Sequence, residues 1–333
     1  MQRVNHAAFS LYVAKKKRTG NLRTNVILYG VILCKGGTGL DFTWYESALY
    51  GLVSGLTDII PVSAHAHRLL LLKLYGETGD VALLRLFIHL GVFAAALFHC
   101  QPHITRMLRA KRLSRIPKRR RKRPLDTKSM MDFSLWKTML VPVILSFFLY
   151  QKVQPLQTSL VWVSVLVLLN GLILYIPQFF PSSNKDSRTL SRVEGLVLGV
   201  GGAAAILPGI SGMGMAVSLG SLCGLERSYS LAMSLLMNLV MWAGFAVFDA
   251  MAMVKMGMHG ISLAAVLQCL LAGITAFTGA HMGIEMMRKL SQNRDYTIFA
   301  YFFFQKYYLH CPQEVLVFLC PFLHEPTPAR QSK

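Results

Sequence analysis

Residues 194–227 read EGLVLGVGGAAAILPGISGMGMAVSLGSLCGLER, and this stretch decides the fold. It is apolar enough for a bilayer interior, yet Pro208 and Gly209 at its centre break any continuous helix. Irregular backbone at membrane depth is tolerated only where protein or water surrounds it, so the break is expected to line a polar cavity. A second segment of the same kind occupies residues 43–75, TWYESALYGLVSGLTDIIPVSAHAHRLLLLKLY, with Pro61 inside a polar centre from Thr57 to Arg68. Gly51-Leu52-Val53-Ser54-Gly55 matches Gly195-Leu196-Val197-Leu198-Gly199. Each is followed by a proline with a serine close behind, Pro61 and Ser63 in one and Pro208 and Ser211 in the other. Paired, proline-interrupted apolar segments in two halves of a chain point to a site at a repeat interface near the membrane midplane. The competing reading is a chance match between Gly/Leu/Val-rich strings.

The rest of the chain agrees with a membrane class. Of 333 residues, 53% are apolar and 15% charged, which excludes disorder, collagen and a small disulfide scaffold. Further span candidates are Leu83–Phe98, Leu135–Tyr150, Ser159–Ile176, Ser228–Phe248 and Gly260–Ile284, with a sixth starting at Thr297 and cut by Gln305, Lys306 and Pro312. A short polar link, Gln151–Gln157, joins the second and third of these. The net charge of +20 suggests a nucleic-acid partner until it is mapped. Seven basic residues lie in 1–40 and eleven in 106–123, with no acid in either, leaving 17 basic residues against 15 acidic ones elsewhere. Two basic segments flanking apolar spans are the pattern of cytoplasmic loops, and no nucleic-acid partner is expected. A surface for anionic lipid headgroups is a compatible reading of the same charges. The cysteines at 34, 100, 223, 269, 311 and 320 form no CxxC pair and read as buried reduced thiols.

Three parts are expected: a basic N-terminal extension over 1–40, a membrane domain over 41–304 with a basic cytoplasmic loop at 101–130, and a divergent tail over 305–333. Within the domain, the first break offers Asp58, Ser63, His65, His67 and Arg68. The second offers Ser211 with the flexible backbone of Gly209, Gly212 and Gly214. Helix ends exposed at such breaks point unpaired N–H groups at the cavity and favour an anion, phosphate above all.

SGLTDIIPVSAHAHRLLL and ILPGISGMGMAVSLG resemble, in order and separation, the two signatures of the bacterial undecaprenyl-diphosphate phosphatases, a family linked to bacitracin resistance. The resemblance covers roughly residues 43–300. It implies an all-α integral membrane fold, a polytopic helical bundle of inverted repeats with two re-entrant helical hairpins. It also implies a polyprenyl diphosphate lipid as substrate, cleaved to the monophosphate and phosphate to recycle the carrier in cell-wall synthesis at the bacterial plasma membrane. Asp58, Ser63, His67, Pro208, Gly209 and Ser211 match retained motif positions. The chain departs at Ser54 and Ala64, where the family has a glutamate and a second serine, and at Gly212 and Met213, where it has arginine and serine.

Cleaving a diphosphate puts charge on phosphoryl oxygens that a positioned cation normally stabilises. With Gly212 in place of arginine, that cation is expected to be Arg68, a protonated His65 or His67, or a divalent ion such as Mg²⁺ or Ca²⁺ held by Asp58. For Arg68 the alternative is snorkelling to the interface. His65 and His67 share a face only where the backbone is extended; there, one of them is a candidate base or nucleophile beside Asp58, and a His-x-His metal site is a remoter option. His89, Asp249 and Glu285 are unusual within or beside apolar spans but belong to no motif. Two functions remain open: a hydrolase, and a non-hydrolytic relative that binds or translocates a polyprenyl phosphate lipid. The sequence after Phe304, starting QKYYLHCPQEV, is either a divergent tail or the product of a shifted reading frame, which the other two frames of the coding DNA would settle.

Overall fold

The computed structural model describes residues 42–76, 81–157, 159–179, 184–256 and 262–292. The expected extension over 1–40, the span candidate from Thr297 and the tail over 305–333 lie outside these residues. The described residues form helices α1 (Trp44–Ile59), α2 (Ala64–Tyr75), α3 (Ala82–Ser114), α4 (Thr127–Gln157), α5 (Leu160–Tyr175), α6 (Arg192–Ala203), α7 (Gly212–Leu222), α8 (Arg227–Met256) and α9 (Leu263–Gln292), joined by turns and containing no sheet.

Both breaks form where the sequence places them, and their causes are local. α1 opens on a capping box in which Thr43 and Glu46 satisfy each other's backbone N–H groups. It stops at Ile60, whose extended conformation (φ −70°, ψ 152°) is what the following Pro61 imposes. Ser63 then caps α2, its Oγ accepting from the Ala66 N–H at 3.2 Å. α6 repeats the scheme. Ser191 and Glu194 form a second capping box, and a single 3₁₀ turn, Ala204–Ile206, leads to extended Leu207 ahead of Pro208. Gly209 takes φ 110°, a region open to glycine, and Ser211 caps α7.

Glycines set the packing around the breaks. A Cβ at Gly51 or Gly55 would strike the backbone of Ala272 or Ala276, so α1 lies directly against the small-residue face of α9. Gly195 and Gly199, the matching positions of α6, face Leu135, Thr138, Met139 and Pro142 of α4. Close approach through small residues is how membrane helices gain contact where lipid is as apolar as leucine.

Among the described residues four helices, α3, α4, α8 and α9, are long and apolar enough to cross a membrane. α3 has 33 residues and so runs ~50 Å, well past a hydrocarbon core of ~30 Å. Exposed Val141, Ile144, Leu145 and Phe148 on α4, and Leu267, Leu270, Ile274 and Met282 on α9, form apolar faces that only lipid or another protein would cover. The chain is a polytopic helical membrane protein.

Three expectations are corrected. Of the loop expected at 101–130, residues 101–114 continue α3 as far as Ser114, where Arg, Lys and Leu favour helix, and residues 127–130 open α4. The link Gln151–Gln157 is likewise the end of α4, although Pro155 lies within it. The span expected at Ser159–Ile176 is the 16-residue α5, ~24 Å long and followed by a 3₁₀ turn.

Candidate functional site

The two breaks touch. Ser211 Oγ donates to the Ile60 carbonyl at 3.4 Å, and a Cβ on Gly214 would lie 2.9 Å from Pro61 Cβ. Beside this contact lies a cavity of ≈ 140 Å³, ample for several waters. Ala64 and His65 of α2 and Ser211, Gly212 and Met213 of α7 line it, so two helix N-termini converge on one space. Their first-turn N–H groups lack intrahelical acceptors and carry the positive end of the helix dipole.

A chain of charged side chains crosses the wall. Arg68 Nη2 donates to Asp58 Oδ1 at 2.9 Å, and Nη1 donates to His89 Nε2 at 2.9 Å. His89 Nδ1 pairs with Asp249 Oδ2 at 2.7 Å, and Arg85 Nε donates to Asp249 Oδ1 at 3.0 Å. A guanidinium has no acceptor, so His89 Nε2 must accept and its proton must sit on Nδ1, facing Asp249. With His89 neutral, the two carboxylates and two guanidiniums balance. The side chains of Arg68 and Asp58 are only 12% and 10% exposed, where removing one partner of a pair is far more costly than exposing it at a surface.

Of the residues expected in the site, Asp58, His65, Arg68, Ser211 and Gly212 line the cavity. Ser63, His67 and Gly209 are not part of its wall. Ser63 is fully buried as the α2 cap. His67 Nδ1 donates to the Ser63 carbonyl at 2.7 Å, within its own first turn. Gly209 turns the backbone, where a Cβ would lie 2.7 Å from the Val163 carbonyl. Because α2 starts at Ala64, His65 and His67 stand ~200° apart around a helix, so the extended geometry a joint role requires is absent. His65 Nε2 instead donates to the Gln157 carbonyl at 3.1 Å, closing the end of α4. Among the described residues no cluster of three or more His, Cys, Asp or Glu side chains forms a metal site.

Gly212 has no room to be anything larger. A Cβ there would lie 2.5 Å from Ala205 Cβ and 2.8 Å from Asn238 Oδ1. The cavity also holds two buried polar atoms without a protein partner, Asp58 Oδ2 and the Tyr50 hydroxyl. Tyr50, Arg85, His89 and Asp249 are the site residues that sequence reasoning did not assign. An ionisable residue inside an apolar span is a signal in itself. The pairing was invisible, however, because His89 and Asp249 are 160 residues apart.

Fold and site together define a polytopic helical membrane protein with an ion-paired polar cavity where two helix breaks meet. The chain belongs to the family described as Bacitracin resistance protein BacA, which matches residues 47–305. It is 28% identical over 264 residues to the undecaprenyl-diphosphatase of Methanobrevibacter smithii, covering 77% of this chain and 92% of that protein. It is 25% identical to the undecaprenyl-diphosphatases of Carboxydothermus hydrogenoformans and Pseudarthrobacter chlorophenolicus, each covering 78% of this chain and 92% of the relative.

Proposed function

We propose that the chain is a membrane phosphatase that hydrolyses undecaprenyl diphosphate to undecaprenyl phosphate and inorganic phosphate, recycling the carrier lipid of cell-wall synthesis. The observation that carries this reading is Arg68, the cation held by Asp58 in the cavity where the N-termini of α2 and α7 meet. Arg68 takes over the charge that the family's arginine supplies and that crowded Gly212 does not. The guanidinium and the two helix ends bind the terminal phosphoryl group and stabilise the charge that grows on its oxygens. We assign Asp58, whose Oδ2 has no protein partner, as the group that accepts the proton of the attacking water as the phosphoanhydride bond breaks. His65 is the second candidate base, since its Nδ1 is the unprotonated nitrogen once Nε2 donates to Gln157.

A divalent cation fits this site in one way. Asp58 Oδ2 is the carboxylate oxygen of the wall without a protein partner, so it would hold Mg²⁺ or Ca²⁺, with other ligands from the diphosphate and water. Such an ion supplies further neutralisation of phosphoryl charge. The basic run through Arg123 is placed on the cytoplasmic side of a plasma membrane, and the two helix–break–helix pairs enter and leave on one face, as re-entrant hairpins of inverted repeats.

The substitutions Ala64 and Gly212 favour a second reading, a family member that binds or moves a polyprenyl phosphate lipid without cleaving it. Phosphate release from C55 diphosphate by the purified chain in detergent, with and without Mg²⁺ or Ca²⁺, separates the two. Release abolished by Arg68→Ala and Asp58→Ala supports the phosphatase. No release above a mock preparation, with C55 diphosphate still bound, selects the second reading.

A further inference from the structure

The described residues outside the cavity hold two other titratable clusters. His99 and His281 hydrogen-bond at 2.9 Å near Glu285, and Asp132 accepts from Ser187 and Tyr229. Neither lines the cavity between the breaks. The His89–Asp249 pair differs in touching the proposed reaction through a single side chain.

We propose that His89 and Asp249 are positioning residues that aim Arg68 into the cavity, an inference that rests on Arg68 being the phosphate-binding cation. Arg68 is on a short helix next to a break, and its backbone alone does not fix where the guanidinium points. Beside a 3.4 Å bond from Nε to the Ala64 carbonyl of its own helix, two side-chain contacts do so: Asp58 Oδ1 on Nη2 and His89 Nε2 on Nη1. The first comes from a carboxylate of the same broken segment, which the incoming phosphate must compete with for the guanidinium. The second is uncharged and comes from α3, so it holds the guanidinium without rivalling the substrate's charge. Asp249 makes this possible by accepting the hydrogen bond of the Nδ1–H, which keeps the proton on Nδ1 and leaves Nε2 as an acceptor. Arg85, donating to the other oxygen of Asp249, holds that carboxylate in place. The order Arg85–Asp249–His89–Arg68 thus runs from the first turn of α3, through α8 and back to α3, to the guanidinium. When a diphosphate arrives, Asp58 is released from Arg68 while His89 retains it.

The donor–acceptor polarity makes this testable by conservative replacement. Glutamine at 89 carries an acceptor oxygen for Arg68 and an amide N–H for Asp249, whereas leucine carries neither. His89→Leu is expected to lower kcat/KM for C55 diphosphate by about 10- to 100-fold, mostly in kcat, as a misaimed catalytic group does. His89→Gln should stay within about threefold of the parent, a change of well under 1.4 kcal/mol. Thermal midpoints in detergent show whether each variant is folded, and His89→Met serves as a second apolar replacement where leucine is not accepted. Binding of inorganic pyrophosphate, followed calorimetrically, gives a readout independent of hydrolysis. There, His89→Leu should weaken binding in the parent and add nothing to Arg68→Ala. The proposal is overturned if His89→Leu leaves kcat/KM and pyrophosphate binding unchanged, if glutamine fails as badly as leucine, or if the losses of His89→Leu and Arg68→Ala multiply. Pyrophosphate binding without phosphate release would remove the hydrolytic reading and leave the positioning role to be decided by the binding cycle. A chain that binds no pyrophosphate would overturn both.

Discussion

The two helix breaks share a plan and differ in what they carry. Each begins with a capping box, stops at an extended residue before proline, and restarts on a serine that caps the next helix. The first break brings side-chain chemistry: Asp58, His65 and Arg68, all on the cavity wall. The second brings backbone and bulk, with Ser211 engaged by Ile60 and Gly214, and Gly212 pressed against Ala205. In a site built from two similar halves, charge lost from one half has to reappear in the other, because a diphosphate still needs a cation. In the function proposed above, Arg68 of the first break is that cation, held by Asp58 and by His89 of a long helix.

The strongest test of that asymmetry is to move the cation back. Arg68→Ala should lower phosphate release by about 10²- to 10³-fold, the usual cost of losing one group that stabilises developing charge. Adding Gly212→Arg to that variant should not restore activity, since its Cβ already collides with Ala205. Recovery in the double variant would show that the second break is as open to charge as the first, and the comparison would fail.

Packing offers a second contrast at matched positions. A Cβ at Gly51 meets the carbonyl of Ala272, which is backbone and fixed, whereas at Gly195 the nearest atom is the end of the Leu135 side chain at 2.9 Å. Gly51→Ala is therefore expected to cost about 1–3 kcal/mol as overpacking, and Gly195→Ala less than about 1 kcal/mol because a rotamer shift relieves it. Thermal unfolding in the same detergent measures both, and equal losses would contradict the different helix contacts assigned to the two halves.

Much of this was legible in the sequence, and the residues show why. Pro61, Pro208 and Gly209 act on their immediate neighbours, so the breaks could be located from local chemistry alone. Asp58 and Arg68 are ten residues apart and could be suspected together. The helical extension to Ser114 was obscured because charge reads as loop in a membrane chain, although Arg and Lys are good helix formers once outside the lipid. His89 and Asp249 stood out only as misfits in apolar runs. Their roles depend on how α3 packs on α8, which no local pattern encodes. His65 and His67 misled in the opposite direction: two residues apart they suggest a joint site, and one serine cap, by starting a helix, separates them.

The capping serines sharpen the comparison on a smaller scale. Ser63→Ala removes one cap and is expected to cost about 1 kcal/mol, whereas Ser211→Ala removes a cap and the link to Ile60 and should cost about 2 kcal/mol. Phosphate release corrected for folded protein should change little for Ser63→Ala, whose side chain is not on the cavity wall. A large loss in that corrected rate would return Ser63 to the role its motif position suggests.

The smallest effect expected is at His67, and it is the most informative about the first break. Its motif position points to catalysis, while its geometry ties Nδ1 to the Ser63 carbonyl and leaves the ring outside the cavity wall. Glutamine can make the same bond through its amide N–H, so His67→Gln should change release by about twofold at most, within the ±0.5 kcal/mol typical of a residue away from the reacting groups. Loss to the level of Arg68→Ala would transfer the base from Asp58 to His67. It would also require the first turn of α2 to rotate when the lipid binds, because only that motion brings the ring to the cavity without moving the break itself.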